Sequence, residues 1–358
     1  LKELVEEMLN KLVTVNTITA VVSEGKDKNE EAKNLIKEKL NKIKTTYING
    51  EQDNYNYYIY IENKDPNMPE IALLTDSVSD LIPEDIIGLP IKIVPLKIDL
   101  NGELLKDGVE MSKDEFWQKM VNSRDEEDLK LKTSQPSPQD FLNAYNKLFE
   151  KGYKKIISVH PSSKLSGTAQ AARVGRSLTN REDDIELIDS MGGSLLQGIL
   201  VLEAAKKAVK KESFGEIINW INSYKNKGKL LMIVPDLKYL EKGGRIGKAG
   251  SAIAGMIQLK PILTVSQGEV TIEKKVIGER NAQKYIEKYV KDESRKQSLV
   301  ICTCWGGGPE ELENISKIHS EIGESSKITF AILNRQIGAV IGCHTGPVYG
   351  VFMFPKLS

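Results

Sequence analysis

Past a polar stretch, "NKDPNMPE" at residues 63–70, short β-branched runs alternate with amphipathic helical patterns, and this alternation restricts the fold more than any other feature of the chain. The runs "IALLTDS", "IKIVPLKI", "YKKIISV" and "DIELIDS" read as strands, interleaved with helices over "SPQDFLNAYNKLFEKG", "GTAQAARVGRSL" and "GGSLLQGILVLEAAKKAVK". Such alternation builds a parallel sheet covered on both faces, a three-layer α/β/α domain. Ser137, Pro138 and Asp140 mark one helix start: a capping hydroxyl, a ring that fixes φ, and a carboxylate where glutamate is more usual.

The stretch 63–70 carries two prolines and no periodicity, which suits a linker. The residues before it, 1–66, read as a small α/β domain: helix, strand, a lysine- and glutamate-rich helix, and two strands ending in "NYNYYIYIE". The chain opens inside a helical pattern, "LKELVEEML", with no methionine, as a piece of a longer chain would. From Lys229 the pattern changes to "KLLMIVP", a glycine-rich turn "KGGRIGKAGSAIAG" and a hairpin around "SQG". Adjacent antiparallel strands imply a mixed sheet, so 70–228 reads as a parallel α/β domain and 229–358 as a second α/β domain with a mixed sheet.

A chain of 358 residues that is 40% hydrophobic has material for two or three cores. Its 50 Lys+Arg balance 50 Asp+Glu, so no global field favours nucleic acid or an anionic membrane, and any anion must be gripped locally. Cys302, Cys304 and Cys343 leave an odd thiol, and no signal peptide or transmembrane-length apolar run is seen, which points to a reducing cytoplasm. The "CTC" pair lacks partners at zinc spacing and reads as buried structural thiols, so no metal site is expected. The glycines of "KGGRIGKAGS" match neither dinucleotide nor P-loop spacing.

Chemistry concentrates at strand ends. "TDS" with Asp76 and Ser77, "KTSQPS" with Thr133 and Ser134, and "SSKLSGT" with Ser166, Gly167 and Thr168 are hydroxyl-rich loops that a doubly wound sheet brings to one edge. A helix starting near Gly167 offers unpaired N–H groups and the positive end of its dipole, so together they form an oxyanion receptor for a carboxylate or phosphate. The same hydroxyls also serve as helix caps. Arg245, flanked by glycines, can close over an anion or simply sit on a surface turn. Of the histidines, His319 lies in a charged helix and reads as solvated, and His160 ends a strand, where it packs or caps. His344, in "GCHTGPVYG", sits in a tight turn that aims its ring.

The motifs "TDSVSDL", "KTSQPSPQDF", "SSKLSGTAQAA", "YLEKGGRI" and "CHTGPVYG" resemble, in this order from about Glu70 to the end, those of the DegV family, the fatty-acid-binding subunits of bacterial fatty acid kinases. The resemblance implies a carrier in phospholipid metabolism, not itself an enzyme. It would bury a long-chain fatty acid between two α/β domains and present the carboxylate to an ATP-dependent kinase partner, which makes the acyl-phosphate. The fatty acid would be its ligand, with no cofactor, and lipid would exchange peripherally without a transmembrane segment. Carried onto this sequence, Thr133 and Ser166 would hold the carboxylate, His344 would approach it, and Arg245 would serve the head group or the kinase contact. Ser134, Gly167, Thr168, Asp76 and Ser77 complete the candidate set. The family turn usually continues Gly-Pro-Gly, whereas Val348 here restricts the backbone beside His344. Residues 1–62 are similar to the carboxy-terminal part of the kinase subunit, which suggests a fragment of a kinase and carrier fusion. Two rivals remain: a serine-type acyl hydrolase using Ser166, His344 and Asp76, which lacks a G-x-S-x-G elbow, and a small-anion sensor.

Overall fold

The computed structural model describes residues 19–24, 44–49, 57–62, 68–123, 130–250, 259–323 and 327–356. The chain divides into two compact units, Leu1–Met68 and Pro69–Ser358. In the first, β1 (Thr19–Glu24) lies between β2 (Lys44–Asn49), which runs parallel to it, and β3 (Tyr57–Glu62), which runs antiparallel. The helices expected over the opening residues and between β1 and β2 lie outside the described residues.

The second unit begins with β4 (Ile71–Asp76), a 3-10 turn (Ser77–Ser79), α1 (Pro83–Ile86), β5 (Ile91–Val94), β6 (Lys97–Leu100), β7 (Glu103–Lys106), α2 (Lys113–Asn122) and β8 (Leu131–Ser134). It continues through α3 (Pro138–Glu150), β9 (Lys155–His160), α4 (Thr168–Ser177), β10 (Ile185–Asp189), α5 (Leu195–Val209) and α6 (Phe214–Tyr224). Strands β10-β9-β4-β5 form the parallel sheet. Every residue of β4 is buried: Ala72 and Leu74 pack with Phe141 and Ala171 of α3 and α4, while Ile71 and Leu73 pack on the other side with the residues of α5. The two-residue alternation of a strand thus explains its unbroken apolar run. As expected, Ser137 caps α3, exchanging hydrogen bonds with Asp140 of 3.2 and 2.8 Å.

One expected strand is two. "IKIVPLKI" breaks at Pro95, which has no N–H for a ladder, and the next N–H, that of Leu96, goes to Ser77 Oγ at 3.0 Å. Strand β6 leaves the parallel sheet and joins a separate antiparallel sheet, β7-β6-β8. Consequently the "KTS" residues are not a loop on the edge of the parallel sheet: Thr133 is a strand residue opposite Ile98.

The remaining elements are β11 (Lys229–Ile233), α7 (Lys238–Lys242), β12 (Leu259–Ser266), β13 (Glu269–Ile277), α8 (Glu279–Lys296), β14 (Leu299–Gly306), α9 (Pro309–Ile322), β15 (Ile328–Gln336), α10 (Ala339–Thr345) and β16 (Val348–Pro355). They build a mixed sheet, β13-β12-β11-β16-β14-β15, in which β14 and β15 are parallel and the other pairs antiparallel. Gln267 and Gly268, both at positive φ (51° and 79°), make the tight β12–β13 turn. One face of the sheet packs on α8 and α9 through Leu231, Ile301, Ile286 and Ile315. The other face, with Met232, Cys302, Phe352 and Phe354, joins the cluster that contains α5. Leu195 to Leu202 are all buried, because α5 lies within a cluster shared by both sheets and has little face left for water. Each such Leu or Phe contributes about 1.5–3 kcal/mol on burial against about 0.5–1.5 for a typical hydrogen bond. This shared cluster therefore outweighs the bonds from Trp117 to Ile337 and from Arg335 to Asp85 in holding the sheets together.

His319 departs from expectation: it is half-buried and packs edge-on against Phe330, ring centroids 4.3 Å apart. Cys302 and Cys304 are free and buried, on the sheet face that joins the α5 cluster, and burial pushes the Cys302 thiol up to about 12.

Candidate functional site

A cavity of about 120 Å³, measured to the centre of a water molecule, lies within the second unit. Its walls are mostly apolar, with Leu96, Leu165, Met232, Val265 and Phe352 among them. Two polar wall groups are engaged by the protein itself: Ser194 Oγ donates to Asp80 Oδ2, and Thr345 Oγ1 bonds the carbonyls of Ile341 and Gly346. Four others, Thr133, Ser166, Arg245 and His344, form a linked group.

Thr133 Oγ1 and His344 Nε2 are 2.7 Å apart. His344 lies in the last turn of α10, not in a tight turn as expected; the turn follows it, at Gly346 with φ 60°. Val348 is the first residue of β16 and part of the cavity wall. Arg245 donates from Nε to the carbonyl of Leu165 (3.0 Å) and from Nη1 to that of Gly243 (2.5 Å), which ties it to the loop that carries Ser166. Gly243 is pressed against the imidazole: a Cβ there would overlap His344 Nδ1. Nothing local in the sequence marks this approach, because a glycine two residues before an arginine reads only as a flexible turn.

Burial, and then the Arg245 guanidinium, push the His344 imidazole down to about 4, so it is neutral near pH 7. Its Nδ1 is buried without a partner. If Nδ1 carried the proton, a buried donor would be orphaned. The cheaper tautomer puts the proton on Nε2, which donates to Thr133 Oγ1 and leaves the Thr133 hydroxyl proton for something else. Ser166 is arranged the same way. Its Oγ lies 2.8 Å from the Oγ1 of Thr168, a buried residue, and accepts the Thr168 N–H at 3.3 Å. Either hydroxyl can donate in that pair; when Thr168 does, the Ser166 proton is also left over. Two hydroxyl protons and a guanidinium beside an apolar cavity suit an anionic head group on an apolar tail.

The other candidates lie elsewhere. Ser134 is exposed on β8, and Gly167 is covered by the side chain of Gln135. Thr168 stands behind Ser166 and outside the cavity wall. Ser77 takes the Leu96 N–H. Asp76 is fully buried in a separate network: Oδ1 accepts from the Val78 N–H (3.0 Å), and Oδ2 meets His160 Nδ1 (2.7 Å) and the Gln197 amide (3.3 Å). His160 Nε2 meets Ser158 Oγ at 2.7 Å, and Ser158 meets the Tyr145 hydroxyl at 2.9 Å. A triad of Ser166, His344 and Asp76 is therefore not assembled, since the carboxylate serves His160 and the serine bonds Thr168. Gly193 and Ser194 line the cavity and were not singled out in the sequence. Among the described residues no cluster of His, Cys, Asp and Glu could hold a metal ion, and no helix is long and apolar enough to cross a membrane.

These features define a class: an α/β protein with a parallel and a mixed sheet and an apolar cavity that has a polar, cationic group in its wall. The profile of the DegV family, described as uncharacterised, matches residues 70–356. The chain belongs to the DegV family. It is 35% identical over 295 residues to a DegV domain-containing protein of Caldanaerobacter subterraneus subsp. tengcongensis, covering 81% of this chain and all of that one. Among solved structures, it is similar to a DegV family protein of Thermus thermophilus described by its fatty acid binding, with TM-score 0.72 and 29% identity over 80% of this chain and 99% of that one. It is also similar to a stearic acid-binding protein of Eubacterium ventriosum, with TM-score 0.71 and 25% identity over 80% and 98% of the two chains.

Proposed function

We propose that the second unit binds a long-chain fatty acid, with its tail in the cavity and its carboxylate on the hydroxyls of Thr133 and Ser166. One observation supports this reading: with His344 Nε2–H donating to Thr133, the Thr133 hydroxyl proton is free for an oxyanion, and Ser166 offers a second when Thr168 donates to it. The solved relatives described as fatty-acid-binding support the choice of ligand. The protein then acts as a cytoplasmic carrier without catalysis of its own. A kinase partner brings ATP, a carboxylate oxygen attacks the γ-phosphorus, the bond to the ADP oxygen breaks, and an acyl-phosphate leaves. Arg245 beside the head group supports this step, because a fixed cation favours the charge that builds on a transferring phosphoryl group. Within this reading residues 70–228 and 229–358 work as the two halves of the carrier, and residues 1–66 as a separate domain derived from a kinase subunit.

Extraction of the purified protein and mass spectrometry test the first step. Stoichiometric fatty acid is expected, and a water-soluble ligand in its place would defeat the reading. For the second step, Arg245→Ala should keep bound lipid but lower acyl-phosphate formation with an intact kinase and ATP. For the separate domain, cleavage near Asn67 should release a fragment that still carries fatty acid.

A further inference from the structure

Gly193 is the one glycine in the cavity wall among the described residues. The backbone does not demand it. Met191 and Ser194 on either side hold positive φ (58° and 51°), but Gly193 does not. Nor does close packing demand it: a Cβ at Gly193 would meet only Val78 Cγ1, at 3.4 Å, an ordinary van der Waals distance. Its neighbours in sequence differ. A Cβ on Gly192 would come within 2.7 Å of Leu196 Cβ, and one on Gly198 would overlap the carbonyl of Ser79. The fold thus explains Gly192 and Gly198 and leaves Gly193 unexplained.

Its position along the cavity follows from α10. Asp80 accepts the Gly338 N–H (2.6 Å) at the start of that helix and also takes the Ser194 hydroxyl, so the Gly193–Ser194 turn sits by the start of α10. His344 is in the last turn. His344 lies five positions after Ala339, and at 1.5 Å per residue that is about 7–8 Å along the helix. Val340, Ile341 and His344 all face the cavity, so it follows α10 from the polar group toward Gly193.

We infer that Gly193 is a specificity-determining position: its missing side chain leaves the passage beside Val78 that an acyl tail needs to extend beyond the part of the cavity next to the head group. This rests on the fatty-acid reading above. A Cβ would remove about one methylene's worth of space, which in an apolar pocket changes affinity about 10- to 200-fold. It should act on tails long enough to pass Gly193 and spare those that stop short of it.

The test is a titration of wild type, Gly193→Ala and Gly193→Val with octanoate and hexadecanoate, alongside thermal melts. Gly215→Ala, at a helix glycine with nothing within 4 Å of the added atom, controls for backbone stiffening. The expected result is unchanged melting, unchanged octanoate affinity, and hexadecanoate affinity about tenfold or more lower in Gly193→Ala, lower still in Gly193→Val. An unchanged ratio of the two affinities would overturn the inference. So would early melting of Gly193→Ala, since the glycine would then serve the backbone. If wild type binds neither acid, it is the fatty-acid reading that fails; if wild type binds hexadecanoate and the variants bind it equally well, only the role of Gly193 fails.

Discussion

Two histidines, His160 and His344, sit in polar clusters inside the same unit, and the clusters differ in one respect. Around His160 the ring, the hydroxyls and the carboxylate are all engaged with one another, although the Gln197 Oε1 at the edge of this network is buried without a partner. Tyr145 O–H can donate to Ser158, Ser158 to His160 Nε2, and His160 Nδ1–H to Asp76, whose other oxygen takes a backbone N–H. Around His344 the sequence of bonds stops: with His344 Nε2 and Thr168 as donors, Thr133 and Ser166 keep a proton each, and Nδ1 has no partner. A buried network that closes on itself is structure, whereas one that ends beside a cavity is prepared for a ligand. The contrast separates two groups of hydroxyls and histidines that look alike in sequence, and it can be broken by mutation.

The largest effect belongs to the closed network. Asp76→Ala would leave the Val78 N–H and the His160 N–H without their acceptor in a fully buried place, while the Gln197 amide would keep its bonds to Thr75 Oγ1 (2.8 Å) and the Val159 carbonyl (3.3 Å). Each buried donor left unpaired costs about 1–3 kcal/mol, so denaturant unfolding should show a loss of about 2–6 kcal/mol. A loss below about 1 kcal/mol, the range of one ordinary hydrogen bond, would mean that the network is not what fixes these strand ends.

Next comes the pH response of the open cluster. Folding holds His344 near 4, against about 6.5 in the unfolded chain, so between these values the unfolded state binds more protons. Stability from this group is fully present above about 6.5 and is lost as pH falls toward 4. At about 1.4 kcal/mol per pKa unit the whole swing is on the order of 3 kcal/mol. Asp107, raised by burial from 3.8 to about 7, works in the opposite sense: its contribution is present below 3.8 and is lost as pH rises through 7. The measurement is therefore a difference. Wild type should lose stability relative to His344→Gln as pH drops from 6.5 to 4, and parallel curves would contradict a neutral buried imidazole.

Ser166→Ala comes third and should act on binding more than on folding. A hydrogen bond to a charged group is worth about 1.5–3 kcal/mol, so hexadecanoate affinity should fall roughly tenfold to a hundredfold. Melting in the absence of lipid should fall only by the worth of one or two hydrogen bonds, because Ser166 Oγ is bonded to the hydroxyl of the buried Thr168 and accepts its N–H. Equal affinity would remove Ser166 from the head-group site. A large loss of melting temperature would place it with the closed network and erase the contrast.

Much of the fold and part of the site were legible in the sequence, for identifiable reasons. Strand ends, the Ser137 cap and the Gln267–Gly268 hairpin follow local rules, and local rules show in local sequence. Hydroxyl-rich loops pointed to Thr133 and Ser166, both of which line the cavity, although Thr133 lies on a strand of the small antiparallel sheet, after Pro95 redirects the chain. Asp76 was not separable from them, because its partner His160 lies 84 positions away and only the parallel pairing of β4 with β9 brings the two strands side by side. His319 read as solvated since its helix is rich in charge; the strand residue Phe330 that covers it belongs to the next element. The apolar wall was illegible for a different reason. Leu, Val and Phe are interchangeable in a cavity lining, so their order in sequence carries no mark of the ligand.

The smallest effect belongs to Ser134, and it tests whether hydroxyl content or strand geometry selects the site. Ser134 follows Thr133 directly, and successive side chains on a strand point to opposite faces. Along β8 the exposure alternates accordingly: Leu131 and Thr133 are partly buried, and Lys132 and Ser134 are exposed. If the loop acted as a general hydroxyl-rich anion trap, both residues would contribute. If only the inward face of β8 meets the cavity, Ser134→Ala should leave hexadecanoate affinity within about twofold and stability within about 0.5 kcal/mol, as for an exposed position without partners in the site. Thr133→Val, nearly the same shape without the hydroxyl, should meanwhile weaken binding by about as much as Ser166→Ala. A tenfold loss in Ser134→Ala would mean that the head group reaches the outer face of β8, and that the carboxylate lies outside the His344 and Arg245 group.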